Sequence, residues 1–450
     1  MSFFEFVEAL RGAFAEAMRG PLLFVLGFWW VWLPIPFVFF AWRAWLRYAR
    51  LWYYWVREKW ILLEVRVPKE ILKTPKAMEQ IFSGVWSIIT KGNKYEQFWL
   101  GRWVDYMTFE LLGAGGETHF FVCLPERYRP MIESYVYSEY PESEIAQVPD
   151  YFDSLPEEMP CEGWRIIGSE LAFTDPDSYP IRTYLAFEDP TDERRIDPMS
   201  HFAELFGRLR QGEYVIYQLV VRPSYDEWKA KARALVDKLI GKVLPKPPGA
   251  PELKESYAWL RDFGAYINQF FFGGEVAAEA KEEERGNEVG TSKMLNLSPG
   301  ERATVEAIGM KTGKHGLEVN FRMVYAGQEE LFRAKPIVSA MFGATGLFGG
   351  ELNGFRPHNP TKTWVDYFKK RREPRREKRL WHEMRKRLLV DDLFSTTLSG
   401  DTFGRPSGVL IMNIEELASI YHFPIKEVAA PLLPRIEAKR GEPPPGLPIG

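Results

Sequence analysis

Apolar positions change their spacing several times along the chain, and each change marks an element. Phe3, Phe6, Val7, Leu10, Phe14 and Met18 recur near helical spacing, which predicts a short interfacial amphipathic helix over residues 1–20. Residues 21–42 (PLLFVLGFWWVWLPIPFVFFAW) then run without a charge. As a helix, such a stretch reaches across the ~30 Å hydrocarbon core of a bilayer, so a transmembrane segment is expected. Gly27, Pro34 and Pro36 weaken it and leave a kink, a break or a re-entrant course open. In residues 43–60, Arg43, Arg47 and Arg50 interleave with aromatic residues that follow on from Trp42, among them Trp45 and Trp52. Amphipathic rings and snorkelling arginines suit the headgroup level, so these six residues form the expected membrane-interface belt.

Beyond residue 60 the spacing turns to short alternating runs. Residues 61–67 read as a strand, 75–88 as a helix, and 103–112 with 118–124 as a hairpin across Gly113, Gly115 and Gly116. A helix over 126–140 and a strand over 143–151 complete a β-α-β-β-α-β order, the split-βαβ, ferredoxin-like arrangement, over residues 61–151. Residues 160–368 predict a second α+β module of similar type. Its strands are expected at 164–173, 181–187, 213–221 and 317–325, and its helices at 197–210, 226–244 and 329–341. Ser298 and Glu301 form a capping box for one more helix. The prolines of 244–253 mark a linker, and 275–290 is an acidic, polar loop. A basic segment follows at 369–390, and 391–434 carries a strand at 409–412 and a helix that Asn413 caps. The proline-rich tail at 435–450 cannot pack as a core element. The expected fold class is therefore α+β: an N-terminal transmembrane helix, ferredoxin-like modules and an extended tail.

Composition sharpens this picture at two points. The formal net charge of -3 excludes a global field that draws nucleic acid, although local patches remain. Lys and Arg cluster on the C-terminal side of the apolar stretch, so the positive-inside rule places a single-pass protein in the inner (cytoplasmic) membrane with its body in the cytoplasm. The two cysteines, Cys123 and Cys161, are too few for a disulfide scaffold or a four-thiolate metal site.

Enzyme chemistry leaves little trace. The run from Gly309 to His315 is one residue short of a Walker A loop and lacks its Ser/Thr. His382 and Glu383 open like a zincin helix, but Lys386 stands where the second histidine belongs. The glycines of 343–350 follow no strand. No catalytic residue, cofactor or metal is expected. One segment stands out: residues 369–387 carry eleven Lys or Arg against three Glu. Lys369, Lys370, Arg371, Arg372, Arg375, Arg376, Arg379, Arg385, Lys386 and Arg387 can neutralise the phosphates of DNA or meet anionic lipid or an acidic partner. The same run also reads as a plain solvated helix.

Several phrases resemble a known family. WILLEVRVPKEILKTPKAMEQIF, ETHFFVCLPERYRPMIESYVYSEYPESEI, GEYVIYQLVVRPS and MNIEELASIYHFP with the PPPGLP tail are similar to the membrane-proximal, non-ATPase region of type IV secretion-like proteins. These include conjugative coupling and HerA-type translocase proteins of archaea and of bacteria of the candidate phyla. In fused relatives a DNA-translocating ATPase follows this region, whereas the motor motifs are absent here. The resemblance implies a non-catalytic scaffold or adaptor subunit that docks a separate P-loop ATPase. Pro443, Pro444, Pro445, Leu447 and Pro448 are its docking candidates. A ring-shaped motor would favour a homo-oligomer, most simply a hexamer. The alternative is a membrane-tethered nucleic-acid-binding protein that uses residues 369–387.

Overall fold

Successive side chains of a strand point to opposite faces of its sheet, and the fold uses both faces. The computed structural model describes residue 27 and residues 34–67, 73–89, 93–102, 104–187, 197–240, 297–390 and 408–424. Helices run α1 Pro34–Trp52, α2 Lys76–Trp86, α3 Lys94–Phe98, α4 Arg129–Glu139, α5 Ser200–Gly207, α6 Glu227–Leu239, α7 Pro299–Thr312, α8 Ala334–Thr345, α9 Lys369–Arg385 and α10 Ile414–Ile420. Strands run β1 Trp60–Arg66, β2 Met107–Ala114, β3 Glu117–Pro125, β4 Glu144–Val148, β5 Trp164–Phe173, β6 Glu213–Pro223, β7 Gly316–Gln328, β8 Phe355–Pro357 and β9 Leu410–Asn413. Two units separate: residues 1–58 with 91–103, and residues 59–90 with 104–450.

In the larger unit all nine strands join one antiparallel sheet of order β4-β1-β3-β2-β6-β7-β5-β8, with β9 also on β7. This corrects the expectation of separate ferredoxin-like modules. The overturning contact is β2 with β6, paired from Met107↔Val221 to Ala114↔Tyr214. Almost every residue of both strands is buried. Such strands need a neighbour on each edge, so the two expected modules fuse through them.

The first face is apolar. Leu63, Phe109, Val122, Tyr217, Leu219, Phe321 and Met323 meet Met78, Phe82, Ile132, Phe202, Met341 and Leu417 from α2, α4, α5, α8 and α10 in one continuous core. Gly113 is required here, because a Cβ would stand 2.6 Å from the Phe206 ring. Gly115 and Gly116, with φ of 57° and 94°, close the β2–β3 hairpin as a two-residue turn that favours glycine. The capping boxes form as expected, Ser298 with Glu301 and Asn413 with Glu416. Residues 181–187 depart from expectation: a 3-10 turn, Tyr184–Ala186, replaces the strand. The Ile181 and Tyr184 amides donate to Glu416 and Ser419 of α10, which leaves them unavailable to a ladder.

The smaller unit corrects the membrane expectation. Among the described residues no helix is long and apolar enough to cross a membrane, so a single-pass anchor and the localisation drawn from it are not supported. Pro34 and Pro36 lie at the start of the described part of α1, and the helix continues through Trp42, Trp45 and Trp52. Apart from Gly27, residues 1–33 lie outside the described residues. Trp42 and Trp45 pack against Trp99 at 6.2 and 6.4 Å. Arg50 is half-buried, and the side chains of Arg43 and Arg47 lie outside the described part.

Candidate functional site

The second face of the sheet carries a polar ladder in the middle of its apolar strands. Glu110, Gln218, Arg322 and Glu170 stand directly opposite one another on β2, β6, β7 and β5. All four are fully buried. Gln218 Nε2 donates to Glu110 Oε1 at 2.9 Å, and Arg322 donates to Gln218 Oε1 at 3.2 Å and to Glu170 Oε1 at 3.1 Å. An unpaired charge here would cost several kcal/mol, roughly, so the ladder demands partners for what remains. They come from α9 and the chain that follows it.

The helix α9 is held by its C-terminal half. Leu380, Trp381 and Met384 join Phe152, Leu155 and Met159 in the second apolar cluster. The Trp381 indole donates to the Pro156 carbonyl at 3.0 Å, and Arg385 donates to the carbonyls of Phe152, Leu155 and Pro156. Past the helix end, the Arg387 amide bonds Met384 O and the Leu388 amide bonds Glu383 O, a Schellman closure. That closure needs a left-handed residue, normally glycine, yet Arg387 takes φ of 48°. Its guanidinium reaches Glu110 at 2.8 and 3.2 Å and Asp150 at 2.6 and 3.0 Å. Burial works to raise the Asp150 carboxyl, but the hydrogen bonds and charge of Arg387 outweigh it and hold the group below its ordinary value. Arg322 completes the seal by donating to Leu388 O, and Asn320 accepts from the Val390 amide at 2.7 Å.

The N-terminal half of α9 behaves differently. Lys369, Lys370 and Arg371 are exposed and Arg372 is half-exposed, and none of the four forms a side-chain ion pair or hydrogen bond among the described residues. Arg375 and Lys378 extend the outward face, Lys378 paired with Glu158 at 2.8 Å. Just before the helix stand Tyr367 and Phe368, 75% and 80% exposed. Phe368 adopts φ of 54°, a left-handed conformation rare for a bulky side chain. Behind them Val365 is buried, its amide bonded to Glu373. Burial, with Glu373 adding to it, pushes the Glu377 carboxyl up to about 6. Between the halves lies a shallow open notch with a cavity volume of about 10 Å³, lined by Pro360, Thr361, Arg376, Arg379, Leu380 and Glu383. That is below the roughly 300–1,000 Å³ of small-molecule pockets.

The ten basic residues expected to act together are thus split. Arg385 and Arg387 are structural, Arg376 donates to the Asn359 and Lys362 carbonyls, and Arg379 pairs with Glu383. Lys386 is exposed past the helix end, with an interaction of its own. The indole of Trp381, within the same run, is buried. Tyr367 and Phe368 are not among those ten, although two aromatics directly before a basic run are a readable signal. The polar ladder was also legible, as single charged or amide residues inside the apolar runs FEL, YQL, FRM and SEL. Pro443, Pro444, Pro445, Leu447 and Pro448 lie outside the described residues. No group of three or more His, Cys, Asp or Glu suited to a metal occurs among the described residues.

Fold and site define an α+β protein in which a basic helix is sealed onto one face of a single antiparallel sheet. The chain belongs to the DUF8128 family, a domain of unknown function whose family model matches residues 55–342. The match takes in the ladder residues and Asp150 and ends before α9. No curated protein matches the chain.

Proposed function

We propose that the chain is a non-catalytic adaptor that holds a polyanionic partner on the N-terminal half of α9. One observation carries this reading: a single basic run is divided, with its C-terminal arginines spent inside the protein and the side chains of Lys369, Lys370, Arg371 and Arg372 left without partners among the described residues. Cations that only solubilise a helix need no rigid mount. These ones sit on a helix locked to the sheet by Trp381 and Arg387, so their spacing is fixed before a ligand arrives. Preorganisation of that kind reduces the ordering cost of binding.

Binding of the full chain to heparin, followed over a salt series, tests the reading. Affinity should fall steeply with salt, and the triple variant Lys369→Glu, Lys370→Glu, Arg371→Glu should lose it with the fold intact. Salt-insensitive binding, or a triple variant that binds as well as wild type, would sink the reading. The resemblance to translocase-associated proteins fits an adaptor beside a DNA motor. That motor's docking is a separate expectation: removal of residues 435–450 should abolish association with a P-loop ATPase, and unchanged association would refute it.

A further inference from the structure

We propose that the polyanion is single-stranded nucleic acid, its bases stacking on Tyr367 and Phe368 while its phosphates meet Lys369, Lys370 and Arg371. This rests on the polyanion reading above and names its ligand. Charge alone accounts for the lysines and arginines but not for the rings. Tyr367 and Phe368 are the two most exposed large hydrophobics among the described residues, at 75% and 80%. Neither belongs to a loose segment. Two residues upstream Val365 is buried, and the Thr363 amide donates to Gly168 O on β5 at 3.0 Å. Immediately downstream the Phe368 carbonyl accepts from the Arg371 and Arg372 amides at 3.1 and 3.0 Å. The rings therefore stand on a tether fixed at both ends, directly beside cations that have no side-chain partner among the described residues.

A ligand that satisfies both features must alternate flat apolar faces with negative charges over a few ångströms. A single strand does so, because its unstacked bases offer π-faces and its backbone offers phosphates. A duplex keeps its base faces stacked inside and would use only the cations. An acidic peptide would likewise leave the rings in water. A lipid surface would need an apolar stripe along the helix, but the outward positions of α9 after the rings are Arg371, Arg375, Lys378 and His382. Asp366 and Glu373 flank the cations, so the field is local and needs a ligand that reaches the rings as well.

The test uses the full chain and four probes: fluorescein-labelled dT20, a strand of the same length lacking bases, a 20-bp duplex, and phosphatidylserine vesicles. The inference expects dT20 to bind more tightly than the abasic strand and the duplex, and vesicles not to compete. Tyr367→Ala with Phe368→Ala should weaken dT20 binding at least about tenfold, to the level of the abasic strand, with the salt slope kept. The charge-reversal triple should weaken all nucleic-acid probes and flatten the slope. Equal binding of dT20, abasic strand and duplex, unmoved by the double alanine variant, would overturn the single-strand inference and leave the polyanion reading standing. Binding to vesicles alone would also overturn it. No salt-sensitive binding to any probe would remove both. Thermal unfolding of each variant separates loss of the surface from loss of the fold, since these exposed positions hold nothing together.

Discussion

The two halves of α9 belong to one basic run and meet opposite fates. The C-terminal half is sealed: Trp381 and Met384 are buried, Arg385 caps carbonyls, and just past its end Arg387 neutralises Glu110 and Asp150. The N-terminal half is open, with Lys369, Lys370, Arg371 and two exposed rings facing water. The N-terminal half is the more basic, and the C-terminal half carries Leu380, Trp381 and Met384. What separates them in the fold is the face of the sheet beneath: the buried acids take Arg387 from the run, Trp381 and Met384 fill the apolar cluster, and Lys369 to Arg372 are left facing solvent or a ligand.

Substitutions that break this contrast should fall in a definite order. Arg387→Met leaves the fully buried Glu110 and the partly exposed Asp150 without their cation and should cost about 3–5 kcal/mol in urea unfolding. Arg387→Gly should cost about 1 kcal/mol less, because glycine accepts the left-handed backbone without strain. If glycine restored full stability, backbone strain rather than charge would be the reason for the loss. The sign of the pH dependence follows from Asp150. Its native pKa is depressed, so its ionised form stabilises the fold in full above the unfolded value of about 3.9, and the contribution fades as pH falls through the native value. The gap between wild type and Arg387→Met should therefore narrow below about pH 4.

Next in size, Trp381→Ala should lose about 3 kcal/mol through lost burial and the lost indole bond to the Pro156 carbonyl, again read by urea unfolding. Glu377→Gln should act in the other direction. Burial and Glu373 raise this carboxyl to about 6, so its ionisation opposes the fold as pH rises through that value. The variant should gain up to about 1 kcal/mol at pH 8 after allowance for solvent screening, and nothing at pH 4, in paired melts. Smallest of all, Lys369→Glu with Lys370→Glu should leave stability within about 0.5 kcal/mol. A large loss there would mean that the open half is structural after all.

Local elements were legible because local chemistry sets them. The Ser298 and Asn413 caps, the Gly115–Gly116 turn and the β5 run are all short-range signals. The sheet's continuity was not legible, because a buried strand of alternating apolar residues looks the same whether its neighbour lies in its own module or in the next. Residues 181–187 misled for a related reason: their partner is α10, more than two hundred residues away. The basic run announced a site but not its division. That division depends on Glu110, Asp150, Glu170 and Arg322, which only the folded sheet brings beneath the helix.

Hydrogen exchange along α9, on the full chain with and without dT20, tests the division most directly. Without ligand, the amides of Leu380 to Leu388 should exchange as slowly as the central strands, and those of Lys369 to Arg375 much faster. With ligand, added protection should be confined to residues 367–376. Uniform protection along the helix, or a ligand effect centred on Trp381 to Arg387, would contradict the account.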